Sequence, residues 1–216
     1  MFISGTALWA AETNAWVIAP EKGGPAVVID APPDVDGLAE FLGAHDLAPV
    51  ALLVSHGHID HVGGAGGVVR RYSVSAYVHP ADEFLYADPA AQLRQLWGFE
   101  LPGDYAPPDR WQTLEPGAVM QFAGIEFEVL HTPGHTPGHC CFHVAGEGVL
   151  FSGDQLFAGS IGRTDLPGGD YETLMASMRD RIVPLDSATE VFPGHGATTT
   201  LAAELATNPF LQEFRT

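Results

Sequence analysis

Four apolar runs of this chain each end on a side chain able to bind a metal ion, and they lie far apart in the sequence. "VALLVS" (50–55) leads into His56, and "EVLHTPGH" (128–135) carries Leu130 into a turn holding His135. "LFSG" (150–153) leads into Asp154, and "VFPG" (191–194) into His195. Short apolar runs with β-branched residues, bounded by Gly and Pro, read as buried strands. Ligands this distant in sequence meet only if their strand ends lie along one sheet edge. That demand constrains the fold more than any other feature.

The densest ligand group is "SHGHIDH" (55–61), with three histidines and one aspartate in seven positions. On a helix, His56, His58 and His61 would point in three directions, whereas a loop leaving a strand can turn them to one point. Around it, "AVVID" (26–30), "DVDGLAEFLGAHDL" (34–47) and "VALLVS" read as strand, helix, strand, with Leu38, Phe41 and Leu42 on one helix face. "HVGGAGGVVRRY" (61–72) reads as a glycine-rich helix leading to a strand at "SVSAYV" (73–78). "ADEFLYADPAAQLRQLWGF" (81–99) reads as helical pieces broken at Pro89. Residues 117–132 and 139–154 read as hairpins, the second turning at 146–148. Helices are expected over 171–182 and 198–208, with a short strand at 189–193 between them.

With 216 residues and 46% hydrophobic content, the chain can fill one large core. No linker or repeat divides it, so one domain over 1–216 is expected, its Gly and Pro serving as turns. The balance of 27 acidic against 9 basic residues gives a net charge of −18. Such a surface repels phosphate backbones, which excludes DNA and RNA as expected partners; otherwise the acidity promotes solubility. The first residues have no basic region followed by a long apolar stretch, and no run of about 18 apolar residues occurs anywhere. No membrane association is expected, and the cytoplasm is the expected compartment. Cys140 and Cys141 are adjacent, so on a strand they face opposite ways and cannot easily bridge. They read as buried residues in a reducing compartment.

The run H-x-H-x-D-H, followed in order by "TPGHT" (132–136), "SGD" (152–154) and "PGHG" (193–196), resembles the metallo-β-lactamase superfamily. Within it the chain resembles the compact bacterial glyoxalase II-like thioesterases, the hydroxyacylglutathione hydrolases. The match runs from Asp30 to about Pro209. The resemblance implies an α/β fold, a four-layer αβ/βα sandwich. It implies His56, His58 and His135 on one ion, Asp60, His61 and His195 on a second, and Asp154 between them. The cofactor expected is two divalent ions, zinc first, with iron or manganese as alternatives. Asp30 would stand behind the ligands and hold the histidine loop by hydrogen bonds. His45 reads as a helix end, His79 as a turn residue, and His131, His139 and His143 as structural or supporting residues.

Two ions sharing a carboxylate can share a water and bring its pKa towards neutrality, which makes hydroxide the expected nucleophile. Asp60 is the expected catalytic carboxylate, holding an ion and orienting that nucleophile. A thioester suits such a site because a thiol of pKa about 8.5 leaves without a strong general acid. The resemblance implies S-lactoylglutathione or a related hydroxyacyl thioester as the small-molecule substrate. The chain ends at Thr216, without the C-terminal helical domain that serves glutathione recognition in the larger enzymes. The alternative is a persulfide dioxygenase with one iron on His56, His135 and Asp154. "GRTD" (162–165) resembles a substrate loop in which Arg163, the only basic residue between Arg110 and Arg179, would bind an anionic substrate. A salt bridge from Arg163 to Asp165 that shapes the turn is the other reading.

Overall fold

The computed structural model describes residues 1–96, 98, 101 and 103–214. β1 (Phe2–Leu8) and β2 (Thr13–Ala19) open the chain as an antiparallel pair. Their small and polar residues give no clean alternation, so the sequence does not announce them. β3 (Gly24–Ile29), α1 (Val35–Ala44) and β4 (Leu47–Leu53) then form the expected strand–helix–strand unit, with β3 and β4 parallel. The Asp34 carboxylate caps α1 by accepting from the Gly37 N–H at 3.0 Å, and Leu38 and Leu42 turn its apolar face inward. His45 ends that helix, its Nδ1 at 2.8 Å from the Phe41 carbonyl.

The helix expected from His61 begins earlier and in two parts. α2 (Ile59–Val62) already contains Asp60 and His61, and α3 (Ala65–Tyr72) follows Gly63 and Gly64. A Cβ on Gly64 would lie 2.2 Å from the Pro32 carbonyl oxygen, so only glycine lets the backbones approach this closely. β5 (Ser75–Val78), α4 (Glu83–Tyr86), α5 (Pro89–Leu96) and β6 (Gln112–Thr113) come next. Pro89 occupies the first turn of α5, where its missing N–H is no loss. The rest of the helical stretch expected to residue 99 includes Trp97 and Phe99, which lie outside the described residues.

Both expected hairpins form: β7 (Val119–Phe122) with β8 (Ile125–His131), and β9 (Cys140–Val144) with β10 (Val149–Gly153). The short pair β11 (Leu156–Phe157) and β12 (Ser160–Ile161) precedes α6 (Tyr171–Ser177), which widens into a π-type turn over Met178–Ile182. β13 (Glu190–Pro193), β14 (Thr199–Thr200) and α7 (Leu201–Thr207) follow, with a 3-10 turn over Pro209–Phe214 behind them.

Two six-stranded sheets result, in the orders β1-β2-β3-β4-β5-β6 and β14-β13-β10-β9-β8-β7. Strand alternation sorts their side chains. Val27, Ile29 and Leu53 of one sheet pack against Phe127, Phe142 and Phe151 of the other. Each such buried side chain is worth about 1.5–3 kcal/mol, so this layer is a main source of stability. Val28 and Leu52 face the opposite way, onto Leu38 and Leu42 of α1, while Leu150 and Val191 face Leu174 of α6 and Leu201 of α7. The order is helices, sheet, sheet, helices, the expected four-layer αβ/βα sandwich. Cys140 points into the inter-sheet layer and Cys141 into the outer one, and both are free thiols, as their adjacency predicts. Among the described residues, no helix is long and apolar enough to cross a membrane.

Candidate metal centre

β4 ends at Leu53, and the loop behind it delivers His56 and His58. Their orientation begins at Asp30, just beyond β3, which accepts hydrogen bonds from Ser55 N at 2.7 Å and Ser55 Oγ at 2.8 Å. The same hydroxyl oxygen lies 3.0 Å from His56 Nδ1, which leaves His56 Nε2 to face inward. His135, four residues past the end of β8, donates Nδ1–H to the Arg163 carbonyl at 2.7 Å, so its Nε2 also faces inward. These two nitrogens and His58 Nδ1 form a triangle with edges of 3.1, 2.9 and 3.2 Å. Three imidazole nitrogens on a tetrahedral ion with bonds of about 2.0–2.1 Å would lie about 3.3 Å apart. The geometry fits an ion.

Burial, and then the neighbouring His61 charge, push His56 well below the usual imidazole pKa. Burial likewise takes His58 down to about 3 and His135 to about 4. Neutral rings with lone pairs converging are what a metal requires.

A second group lies beside the first. His61 Nε2 and His195 Nε2 stand 3.3 and 3.2 Å from Asp60 Oδ2. Thr13, at the start of β2, donates its hydroxyl to that same oxygen at 2.8 Å. His61 donates Nδ1–H to Asp30 at 2.8 Å, so Asp30 supports both groups. Burial opposes charge on His61, yet the carboxylates of Asp60, Asp154 and Asp30 outweigh it and raise its pKa well above the usual value. Burial also opposes charge on Asp60, but the His61 charge and the adjacent His195 ring hold it well below the carboxylate range.

Asp154, after β10, spans the two groups. Its Oδ1 lies 3.4 Å from His61 Nε2, while its Oδ2 lies 3.5 Å from His135 Nε2 and 3.6 Å from His195 Nε2. Burial raises its pKa. His61 Nε2 and Asp154 Oδ1 are both buried and neither has a hydrogen-bond partner. Orphaned buried polar atoms are costly, and a cation between them removes the cost. Gly194 makes the approach possible, because a Cβ there would sit 2.3 Å from Asp154 Oδ1 and 2.6 Å from His61 Cε1. Among the described residues, three overlapping sets are close enough to hold an ion: His56, His58 and His135; His56, His61 and Asp154; and Asp60, His61 and His195.

Residues that the sequence did not point to hold the loops in place. Asp82 is buried and accepts from Gly57 N at 2.8 Å, Thr136 Oγ1 at 2.7 Å and Gly138 N at 2.6 Å, tying the first histidine loop to the second. Gln92 accepts from Ile59 N at 3.1 Å and donates to the Gly57 carbonyl at 2.9 Å. Neither residue carries a local signal, since each acts across the chain on backbone groups. His139 is supporting, as expected: it lies 2.8 Å from Thr132 Oγ1 through Nδ1 and accepts the Asp154 N–H at 3.0 Å through Nε2. His79 precedes a short turn and stacks on His131 at 4.3 Å, away from the metal-binding groups.

The structure thus brings together all seven side chains named as ligands, with Asp30 behind them. Arg163 sits on the loop above His135 through its carbonyl, but its exposed guanidinium pairs in two-pronged fashion with Asp165, at 2.7 Å for both bonds. That pair holds Asp165 down to about 2.

Residues 9–195 match the metallo-beta-lactamase superfamily, and the chain belongs to it. It is 40% identical over 206 residues to the hydroxyacylglutathione hydrolase GloC of Haemophilus influenzae, covering 94% of this chain and 90% of that one. Among solved structures it is similar to the BLEG-1 B3 metallo-beta-lactamase, with a TM-score of 0.87, 37% identity, and 97% and 99% of the two chains covered. It is equally similar to TTHA1623 in a di-iron-bound form, with a TM-score of 0.85, 39% identity, and coverage of 96% and 100%. The superfamily is one of metal-dependent hydrolases that use divalent ions, and the clustered His and Asp side chains suit that chemistry.

Proposed function

We propose that this chain is a binuclear metal-dependent thioesterase that cleaves hydroxyacyl thioesters such as S-lactoylglutathione. The observation that carries the reading is the Asp154 carboxylate, whose two oxygens face the two ligand groups, one of them without a hydrogen-bond partner. His56, His58 and His135 would hold one ion, and Asp60, His61 and His195 the second, with Asp154 shared. Zinc is the first choice, with iron or manganese compatible with the same donors. The 40% identity to a hydroxyacylglutathione hydrolase supports the substrate class, and the di-iron form of TTHA1623 supports two ions.

Bound ions would supply Lewis acidity and make hydroxide available from water near neutral pH. The protein's own residues do the rest. Thr13 fixes Asp60 Oδ2 so that the remaining oxygen can accept a hydrogen bond from the attacking water and aim it. Asp30 and Ser55 hold His61 and His56 so that their lone pairs stay turned inward. The water gives a proton to solvent and its oxygen bonds to the thioester carbon; the C–S bond then breaks with its electron pair on sulfur, and the thiolate leaves without a dedicated proton donor, since its conjugate acid has a pKa of about 8.5. Arg163 would grip an anionic thiol arm, its guanidinium being exposed at the rim. The proposed enzyme is cytoplasmic, with a small thioester rather than nucleic acid or membrane as its partner. Two buried free cysteines and a net charge of −18 support that setting.

The test is metal analysis of protein purified without added metal, paired with turnover of S-lactoylglutathione. Two ions per chain and hydrolysis are expected. One tightly held iron with oxygen uptake on glutathione persulfide would replace the reading with the dioxygenase alternative. Arg163→Gln should raise KM for the anionic thioester roughly tenfold with little change in kcat, as lost uniform binding does. An equal loss on a neutral, truncated thioester would show that Arg163 shapes the loop through Asp165 instead.

A further inference from the structure

A cavity of about 470 Å³, counting space open to solvent, lies against the outer side of His58. Phe84 and Leu85 of α4, Ala91 of α5, and Leu166 and Pro167 of the loop after Arg163 form its walls. Phe84, 57% exposed, carries the apolar wall out to the surface. Its ring reaches that loop: a Cβ on Gly168 would lie 3.1 Å from Phe84 Cζ.

The polar residues of the cavity are mostly committed elsewhere. The Gln92 amide is used by Ile59 N and by the Gly57 and Leu85 carbonyls. Asp88 is paired with Arg94 at 3.6 Å, and only Gln95 is an exposed neutral amide. Among the described residues no cation lines the cavity. An anionic thiol arm would therefore lose its hydration there and meet a carboxylate, with no positive partner. An apolar arm would gain the burial of both surfaces.

Two arms meet at the scissile carbonyl, and the cavity adjoins a proposed ligand of the metal centre. We propose that the cavity beside His58 takes the acyl arm and makes the enzyme selective for thioesters whose acyl group carries an apolar chain longer than a methyl. This rests on the thioesterase reading.

Binding and turnover test it separately. The metal-loaded protein is titrated calorimetrically with lactate, 2-hydroxybutanoate and 2-hydroxyhexanoate, and kcat/KM is measured on the corresponding glutathione thioesters. Each fully buried methylene is worth about fourfold. The 2-hydroxyhexanoyl group, three methylenes longer than lactoyl, should gain roughly ten- to sixtyfold in affinity and in kcat/KM. Ala91→Phe, which fills the cavity from α5, should bring that ratio back towards one. Leu166→Asp should do the same from the loop without touching α5, so a folding defect in one variant does not decide the matter. Flat affinity and flat kcat/KM across the wild-type series would overturn the cavity's role and leave the thioesterase reading standing. Chain-length-dependent binding of the acids, abolished by both variants and with no thioester cleaved, would uphold the cavity and overturn the thioesterase reading.

Discussion

The two side-chain groups of the candidate metal centre each offer three potential ligands but have opposite electrostatics. His56, His58 and His135 are three buried imidazoles whose pKa values burial drives down, so their lone pairs face one another at 2.9–3.2 Å. Asp60, His61 and His195 include a carboxylate, and burial of both histidines is outweighed by neighbouring carboxylates that raise their pKa values. The first half is a neutral cage ready for a cation, anchored by the Ser55 hydroxyl behind His56 and the Arg163 carbonyl behind His135. The second is balanced internally by opposite charges. What the contrast teaches is that one shared residue, Asp154, couples two sites built on different principles. A cation entering the first half gains charge compensation only from that carboxylate, whereas the second half brings Asp60 as well.

The strongest way to break this contrast is to remove the shared group. Asp154→Asn should lower turnover by about a thousandfold, at the upper end of what losing one preorganised electrostatic contact costs, because both halves lose their common charge. Metal analysis should show both occupancies reduced; loss of a single ion would mean that the carboxylate belongs to one half. Asp60→Asn sharpens the contrast from one side. Turnover should fall about a hundredfold, with the three-histidine half still loaded and the fold intact. Near-wild-type turnover with two ions bound would remove Asp60 from its catalytic role.

Smaller effects should follow from the supports. Asp82→Ala leaves the Gly57 and Gly138 N–H groups without their acceptor and should cost about 3 kcal/mol in urea unfolding. Because Asp82 ties together only the His56–His58 loop and the His135 turn, metal affinity should weaken in the first half more than in the second. Thr13→Val removes a single hydroxyl from Asp60, worth about 1 kcal/mol, so kcat should drop about fivefold while metal content stays at the wild-type level. If metal content fell instead, Thr13 would be holding the second ion's site together rather than aiming the carboxylate.

The strand-end pattern made most of the layout legible. The strand–helix–strand unit and both hairpins could be read from local chemistry, apolar runs with turns behind them, and the seven candidate ligands could be named because their motifs, set after such runs, resemble those of the superfamily. Adjacent Cys140 and Cys141 even gave away a strand with two buried faces, as the packing of each on a different layer bears out. The start of the helix at Ile59, inside the ligand motif, was not legible, because turning His56, His58 and His61 to one point is reason to expect a loop.

What the sequence determined by itself was which side chains are candidates for the chemistry and in what order they follow their strands. What only the tertiary structure decided was how those side chains are held and what surrounds them. Asp82 serves Gly57 and Gly138, and Thr13 serves Asp60 across 47 positions, so their partners are set by which strand ends adjoin within the first sheet and, for Gly138, by how the second sheet meets it. The cavity beside His58 is assembled from α4, α5 and a loop more than 70 residues further on, between Phe84 and Leu166. A motif fixes the identity of a ligand because the metal imposes the residue type, whereas support and shape depend on contacts between segments, and many sequences can supply those.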